Sequence, residues 1–492
     1  MKLNKWFLES NLKHIGLAIF LIIYLSILSY KVISKPTPFI SWDESIYVQV
    51  GKEMLNQKSI VPLWQGQPWF EKPPLAPLVY AVIADLPVQP EVSTRLFSIL
   101  LTGFAFLLLY LLFYKAQKSA IFALFVVITT AANPIVLQRA QIVNTDVFLL
   151  IGWLGYLLFY ENFSISTIFL LIGVLSKSVL GIYPLMLVAA FELYKFIMKR
   201  DKKQLILSIK QLGIQLGIAS LWYLLMIVLY GNSFIKVHFI EHLVERYTKS
   251  LETHFGHLDF YINLFFIQYG NRVFISVASV LILTFLFIRK KIEPIQYFLS
   301  LALLPWLIFI NFAKTKLDWY VYPAVPQVLF LIIYPVTLLQ LLFKKMPIIY
   351  IGVMIVLIAN FIGNNYELKQ AIFTTTYSQY DNEYNLATTA KNNCTTLAIL
   401  ADQSTRNDVV NLKSAGLAIS TTEWYGKYPA IIYYFGKKVQ LYYDKERFIH
   451  DQAMSSKASC WSFDQEESDI KPASGSFSLV KKFGVHSLYK RV

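Results

Sequence analysis

Up to residue 363, apolar residues occur in long runs that are separated by short polar breaks. Most of these runs reach roughly 17–22 residues, the length with which an α-helix crosses the hydrocarbon core of a bilayer. The pattern therefore predicts a polytopic α-helical membrane protein. About eleven transmembrane helices are predicted, at approximately residues 15–33, 92–114, 119–136, 146–160, 164–176, 178–198, 212–230, 273–288, 295–313, 319–343 and 347–363.

The segment 164–198 is long enough for two helices, but its polar interruption is short. Ser176, Lys177 and Ser178 stand together between its two apolar halves. We divide the segment at this point into two spans. One long bent helix is the alternative.

The tail of the chain, residues 364–492, has a different pattern. It is polar and contains short apolar stretches, "TTLAILAD", "PAIIYYF" and "KVQLYY", which are typical of strands and helices in a small α/β domain. Its Cys394 and Cys460 are the only cysteines in the chain, and the sequence leaves open whether they are bonded or free. We therefore predict a membrane domain over residues 1–363 and a soluble α/β domain over residues 364–492.

Composition supports the membrane class. The chain of 492 residues is 56% hydrophobic and only 15% charged, and its mean hydropathy is +0.50. A soluble chain of this length would carry more charge. No small-residue cleavage site follows the first apolar run, so we interpret that run as a retained span and not as a signal peptide.

The net charge of +15 is concentrated in short loops between the spans. Such loops face the cytoplasm in most membrane proteins, so the charge carries topological information and does not predict a nucleic-acid partner. With the N-terminus inside, the loops 34–91, 137–145, 231–272 and 314–318 and the tail are all predicted to be extracytoplasmic. The basic loops contain Lys115 and Lys118, Lys199–Lys203, Arg289–Lys291 and Lys344–Lys345.

The first outer loop carries two charged motifs. Asp43 and Glu44 open "DESIYVQVGKEML", and Glu71 and Lys72 precede a proline pair in "WFEKPPLAPLVY". Prolines stiffen the backbone, so an acid and a base are held close to the membrane. Each motif alone is compatible with a helix cap or an interfacial turn. Their presence in one loop favours a functional role.

A second outer loop contains "VHFIEHLVERYTK". On a helix, His238, His242 and Glu245 share one face, and Arg246 lies one turn beyond His242. Such a face can bind a divalent metal ion. Because a third fixed ligand is missing, an amphipathic interfacial helix is the stronger interpretation of this segment by itself.

Further ionisable residues stand where outer loops meet spans, a position typical of functional sites and also of side chains that snorkel to the interface. They are Arg139 and Asp146 in "LQRAQIVNTDVFLL", Lys177 in "LSKSVLG", and Lys314, Lys316 and Tyr320 in "AKTKLDWYVYP". Cations at headgroup depth suit a lipid-linked phosphate, and a nearby carboxylate suits deprotonation of a hydroxyl. This combination predicts transfer of a group from a phosphorylated lipid. A transporter or flippase of a lipid-linked anion and an inactive relative whose tail binds a partner are the alternatives.

The ordered motifs "WDESIYVQVGKEML", "WFEKPPL", "STRLFSIL", "NTD", "SKS", "EHLVERY" and "KTKLDWYVYP" carry a resemblance over roughly residues 40–325. They resemble the GT-C glycosyltransferases of the protein O-mannosyltransferase type, most closely the branch of the lipid A aminoarabinose transferases. The resemblance implies a multi-pass enzyme of the cell membrane, the inner membrane in a Gram-negative cell. It would transfer a sugar from a polyprenyl-phosphate donor, with inversion, to a lipid, glycan or protein acceptor outside the cytoplasm.

The same resemblance implies roles for individual residues. Asp43 and Asp146 match the catalytic positions, and Glu71 and His242 match positions that can hold a divalent metal ion in the aminoarabinose branch without catalysis depending on it. The positions around the donor phosphate correspond to Lys72, Arg246, Tyr320 and Lys177. Additional candidates for the site are Glu44, Arg139, Lys314 and Lys316. The sugar itself stays open between a hexose, a pentose and an amino sugar.

Overall fold

The computed structural model describes residues 2–39, 42–249, 254, 256–337, 381–414, 429–454, 458–464, 470, 477–484 and 486–491, with isolated positions between 352 and 359. The predicted domain boundary at residue 363, most of the predicted span 347–363 and the end of the span 319–343 lie outside these residues.

The membrane part consists of helices joined by short connections. In chain order they are α1 (Lys2–Ser34), α2 (Trp42–Gln57), α3 (Leu75–Ala84), α4 (Pro90–Gln117), α5 (Ala120–Ala131), α6 (Pro134–Ala140), α7 (Asp146–Phe159), α8 (Phe163–Lys177), α9 (Tyr183–Lys199), α10 (Lys202–Phe234), α11 (Arg246–Thr248), α12 (Phe260–Tyr269), α13 (Val273–Ile288), α14 (Pro294–Leu301), α15 (Leu304–Phe312) and α16 (Val325–Ile333). A 3₁₀ turn, Ser178–Ile182, separates α8 from α9, and a π-helix, Ile235–Glu245, extends α10.

Six helical segments of the described residues are long and apolar enough to cross a membrane, or seven if the bent pair α5–α6 forms one span. The predicted span 119–136 is wrong as a continuous helix, because the chain bends by 77° between α5 and α6. Asn133 follows Ala132, the C-cap of α5, and caps α6, whose first residue is Pro134. The predicted span 146–160 is the 14-residue helix α7, which is buried along almost its whole length.

The contacts of α7 agree with two separate helices over residues 163–199. Residues nearer the C-terminus of α7 contact residues nearer the N-terminus of α8. On α9 the order is the opposite: residues nearer the C-terminus of α7 contact residues nearer the C-terminus of α9. Helix α8 is therefore antiparallel to α7, and α9 is parallel to it. The contacts are Asp146 with Lys177 and Gly155 with Phe169 for α8, and Trp153 with Tyr183 and Tyr160 with Phe191 for α9.

The ends of α4 and α9, which lead into two of the basic loops, lie together at one end of the bundle. The ammonium groups of Lys115 and Lys195 each lie 5.9 Å from the ring of Tyr160. Beside them, the Gln117 side chain donates a hydrogen bond to the hydroxyl of Ser300, at 2.9 Å. The motif-bearing loops gather at the opposite end.

The C-terminal part forms the predicted α/β structure. Its five-stranded sheet has the order β4-β3-β5-β7-β6, in which β3, β4 and β5 are parallel and β7 and β6 are antiparallel. Here β1 and β2 are the two-residue strands Leu63–Trp64 and Gln67–Pro68 of the first loop. A disulfide joins Cys394, before β3, to Cys460 in β5. The elements are α17 (Asp381–Asn393), β3 (Thr396–Leu400), α18 (Gln403–Ser414), α19 (Pro429–Phe435), β4 (Val439–Tyr442), α20 (Lys445–Ala453), β5 (Ser459–Asp464), β6 (Phe477–Phe483) and β7 (His486–Arg491).

Candidate active site

A cavity of about 680 Å³ lies at the end of the bundle where the motif-bearing loops meet. Its walls come from the start of α2, the loop before α3, the α6–α7 junction, the 3₁₀ turn after α8, the π-helix and the segment before α16. The structure thus brings together motifs that are up to 277 positions apart in the chain. The candidate residues that line the cavity are Asp43, Glu71, Lys72, Arg139, Asp146, Lys177, His242, Arg246 and Tyr320.

Asp43 lies in the first turn of α2 and faces this cavity. The positive end of the helix dipole favours a carboxylate at this position. Among the described residues, no hydrogen bond or ion pair engages its side chain. The Asp43 carboxylate is therefore available to a substrate.

Asp146 occupies the equivalent position in α7, but its surroundings are different. Its side chain is buried, forms an ion pair with Lys177 and lies 3.6 Å from Nε of Arg139. The turn before it is fixed by Asn144, whose amide donates to the carbonyl oxygens of Arg139 and Ile142. Asp146 therefore neutralises and orients two cations of the cavity.

Lys72 enters the cavity from the rigid loop before α3. Burial lowers the pKa of its ammonium group to about 8, and the nearby Arg246 guanidinium contributes in the same direction. The two buried cations repel each other across the site. An anion between Lys72 and Arg246 would relieve this repulsion.

Tyr320 connects the remaining cations. Nη1 of Arg246 donates a hydrogen bond to its hydroxyl at 3.0 Å, and Nζ of Lys177 lies 5.9 Å from the centre of its ring. Arg246 is the residue that follows the π-helix, and Tyr320 lies in a 3₁₀ turn before α16. Lys177 and Arg246 therefore approach one phenol from two sides.

His238 has a positional role that the sequence did not indicate. Its ring is buried and connects two loops of the cavity: Nδ1 lies 2.7 Å from the carbonyl oxygen of Phe70, and Nε2 lies 2.7 Å from Oγ of Ser178. A carbonyl oxygen only accepts, so Nδ1 carries the proton and Nε2 accepts from the serine hydroxyl. His238 thus links the loop of Lys72 to the turn after Lys177.

Glu44 does not line the cavity, although it follows Asp43 directly. Its fully buried carboxylate accepts two hydrogen bonds from Arg95, at 3.0 and 2.9 Å, and one from the backbone N–H of Val143. Arg95 belongs to the motif "STRLFSIL", for which the sequence suggested no partner. The structure therefore places Glu44 in a buried ion pair beside the cavity, where it orients the start of α2.

Lys314 and Lys316 also lie outside the cavity lining. Lys314 is exposed, whereas the ammonium group of Lys316 is buried and donates to the carbonyl oxygens of Ile310 and Asn311, at 3.1 and 2.7 Å. These carbonyls belong to the last turn of α15, where a cation stabilises the helix end. Lys316 therefore caps a helix.

The predicted metal ligands lie next to each other. Nε2 of His242 is 3.9 Å from a carboxylate oxygen of Glu71. Within the described part of the chain, no group of three or more His, Cys, Asp or Glu side chains has the arrangement of a metal site. Both ring nitrogens of His238 are engaged in hydrogen bonds. Glu71 and His242 thus offer two ligands in the described part of the chain.

Comparisons with known proteins agree with this architecture. No family model matches the chain. An uncharacterized protein of Aquifex aeolicus is 25% identical over 320 residues, which are 62% of this chain and 60% of that protein's length. The chain thus spans about three fifths of the length of this curated relative.

Solved structures match over nearly the whole chain. ArnT from Cupriavidus metallidurans bound to undecaprenyl phosphate has a TM-score of 0.63 and 14% identity, over 97% of both chains. Its apo form has a TM-score of 0.64 and 13% identity, over 100% of this chain and 99% of that one. The Archaeoglobus fulgidus oligosaccharyltransferase AglB, in complex with an inhibitory peptide and a dolichol-phosphate, has a TM-score of 0.56 and 13% identity, over 92% of this chain and 69% of that one. The likeness at these identities shows that this chain has the fold of ArnT and AglB, the GT-C fold.

Proposed function

We propose that the protein is an integral membrane glycosyltransferase that moves a hexosyl or pentosyl group from a polyprenyl-phosphate donor to an acceptor hydroxyl. The observation that carries the proposal is the cavity, in which an unpaired carboxylate, Asp43, faces a group of cations at one end of a helical bundle. The likeness to an ArnT structure bound to undecaprenyl phosphate and to an AglB structure with a dolichol-phosphate supports a lipid phosphate as the ligand.

The cations divide into two pairs. Lys177 and Arg139 contact Asp146, whereas Lys72 and Arg246 repel each other and suit the phosphate of the donor. A guanidinium group can bind two phosphate oxygens at once. Lys72 and Arg246 would therefore stabilise the charge that develops on the leaving phosphate.

One wall of the cavity is apolar and suits a lipid chain. Val179 and Leu180 follow Lys177, and Trp306, Phe309 and Ile310 project from α15. Helix α15 belongs to a segment that is apolar enough to cross a membrane. The polyprenyl chain would lie along this wall, with its phosphate at the cations.

The chemistry requires one proton transfer and one displacement. The Asp43 carboxylate takes the proton of the acceptor hydroxyl while the hydroxyl oxygen attacks the anomeric carbon of the sugar. The bond between that carbon and the phosphate oxygen breaks, and polyprenyl phosphate leaves with the bonding electrons. A single displacement inverts the anomeric configuration, so the stereochemistry of the product tests this step.

We place the cavity and the C-terminal part on the extracytoplasmic side. The support for this placement is that the ends of α4 and α9, which lead into two of the basic loops, meet at the opposite end of the bundle, because basic loops face the cytoplasm. The acceptor would then be a lipid, a glycan or a protein of the cell envelope.

A transfer assay tests the proposal. The purified natural chain is given polyprenyl-phosphate sugars and candidate acceptors, next to Asp43→Asn and to the control Asp85→Asn, an exposed acid in the same loop. We expect release of polyprenyl phosphate by the natural chain and the control, and a decrease in kcat of about 10²–10⁴-fold in Asp43→Asn. Equal turnover in all three would remove Asp43 from the mechanism. Lipid movement between bilayer leaflets without bond cleavage would identify a transporter.

A further inference from the structure

A tyrosine of the C-terminal part, Tyr434, reaches the loop of Asp43. The hydroxyl of Tyr434, in α19, accepts a hydrogen bond from the backbone N–H of Phe39 at 2.6 Å and donates one to Oε1 of Glu91 at 2.8 Å. Tyr434 is buried, and these partners lie 395 and 343 positions away in the chain. Both hydrogen-bonding capacities of this phenol are thus used between the two parts of the molecule.

The neighbouring residue strengthens this contact. The ring of Tyr433 packs edge-on against that of Phe39, with 5.1 Å between ring centres, and the ammonium group of Lys52 lies 5.6 Å from the centre of the Tyr433 ring. Lys52 belongs to α2, the helix that begins just before Asp43. Helix α19 therefore contacts the chain on both sides of Asp43.

The membrane part also holds this segment. Arg95 donates to the carbonyl oxygens of Thr37 and Pro38, both at 2.8 Å, and to Glu44. Arg95 and Glu91 lie one turn apart on α4. Since the Asp43 side chain has no partner among the described residues, its position depends on how its neighbours are fixed. Arg95 and Tyr434 both fix these neighbours.

We propose that Tyr434 is a positioning residue for sugar transfer, through which the C-terminal part holds Asp43 at the acceptor hydroxyl. This inference rests on the proposed function of Asp43. It gives the C-terminal part a role in the chemical step, because a displaced base transfers a proton less efficiently. Donor binding at Lys72 and Arg246 does not depend on this contact.

The variant Tyr434→Phe removes the hydroxyl and keeps the ring. We expect kcat to fall about 10- to 100-fold, the cost of a small misplacement of a reacting group, while KM for the donor stays within about twofold. Hydrogen exchange at the Phe39 amide should become about tenfold faster, because its hydrogen bond is lost. The matched control is Tyr442→Phe, since the Tyr442 hydroxyl bonds to Asp451 within the C-terminal part.

The outcomes separate the two proposals. An unchanged kcat in Tyr434→Phe, or an equal loss of kcat in both variants, would overturn the positioning role. If the natural chain releases no polyprenyl phosphate from any donor, the proposed function fails by itself. In that case hydrogen exchange at the Phe39 amide still tests the contact. Faster exchange in Tyr434→Phe but not in Tyr442→Phe supports the contact, and unchanged exchange in Tyr434→Phe overturns it.

Discussion

At the scale of single residues, the two aspartates of the cavity differ by their partners. Both stand in the first turn of a helix, α2 or α7, and both line the cavity. Asp146 is held by Lys177 and Arg139, whereas Asp43 has no hydrogen bond or ion pair with a described side chain. We infer that Asp43 acts as the base and that Asp146 organises the cations, a division of roles that their similar positions do not indicate.

Replacing Asp146 should therefore affect stability first. Asp146→Asn leaves the buried cations Lys177 and Arg139 without their counter-ion, which should lower the free energy of unfolding by about 3–5 kcal/mol. Thermal unfolding in detergent measures the effect. Asp43→Asn is the control and should keep the melting temperature of the natural chain, because no ion pair is lost. Equal melting temperatures for the two variants would contradict the division.

The pKa of Lys72, near 8, predicts a pH dependence of donor binding. Below this pH the ammonium group is already charged when the phosphate binds. Above it, binding requires uptake of a proton, so donor affinity should fall by up to about tenfold per pH unit.

Binding of undecaprenyl phosphate between about pH 7 and about pH 9.5 measures this dependence. Lys72→Arg should bind across the whole range without the loss, because a guanidinium group stays protonated. Lys72→Met should bind weakly at every pH. The same decline with pH in the natural chain and in Lys72→Arg would assign the titration to another group.

At the scale of helices, the site depends on close packing between α7 and α8. A Cβ atom on Gly152 of α7 would lie 2.7 Å from the backbone nitrogen of Gly173 of α8. Small residues let membrane helices approach closely. This approach brings Asp146 and Lys177, at the ends of the two helices, into contact.

Gly152→Ala should consequently be destabilising. The added methyl group meets backbone atoms, which cannot move aside as a flexible side chain can, so we expect a loss of about 1–3 kcal/mol. The control is Gly213→Ala in α10, where the new methyl group would meet no atom of the described residues within 4 Å beyond its own helical backbone. Similar melting temperatures for the two variants would show that the α7–α8 contact tolerates expansion.

At the scale of the whole molecule, the proposed orientation places the basic loops and the candidate active site on opposite sides of the membrane. Met454 in the C-terminal part and Lys291 in a basic loop are both exposed. In intact cells, a maleimide that does not cross membranes should label Met454→Cys and leave Lys291→Cys unlabelled, because basic loops face the cytoplasm. After permeabilisation both should react. Labelling of Lys291→Cys alone in intact cells would contradict the proposed orientation and support the opposite one.

The sequence by itself determined the class of the protein. Runs of apolar residues and basic loops are local features, and they govern which segments enter a bilayer and how those segments are oriented. It also identified nine residues that line one cavity, through motifs whose order resembles that of the GT-C enzymes. It predicted α7 as an ordinary transmembrane span. In the structure α7 has only 14 residues, and it can be this short because neighbouring helices bury it.

Only the tertiary structure decided what the charged residues contact. Glu44 pairs with Arg95, 51 positions away, and Arg246 bonds to Tyr320, 74 positions away. Lys316 instead caps its own neighbouring helix, although its sequence surroundings resemble those of a site residue. The role of an ionisable group depends on the charges and hydrogen-bonding partners within a few ångströms of it. Those partners come from distant segments. Only the folded structure therefore distinguishes the Asp43 carboxylate, which has no ion pair with a described residue, from the neighbouring Glu44 carboxylate, which pairs with Arg95.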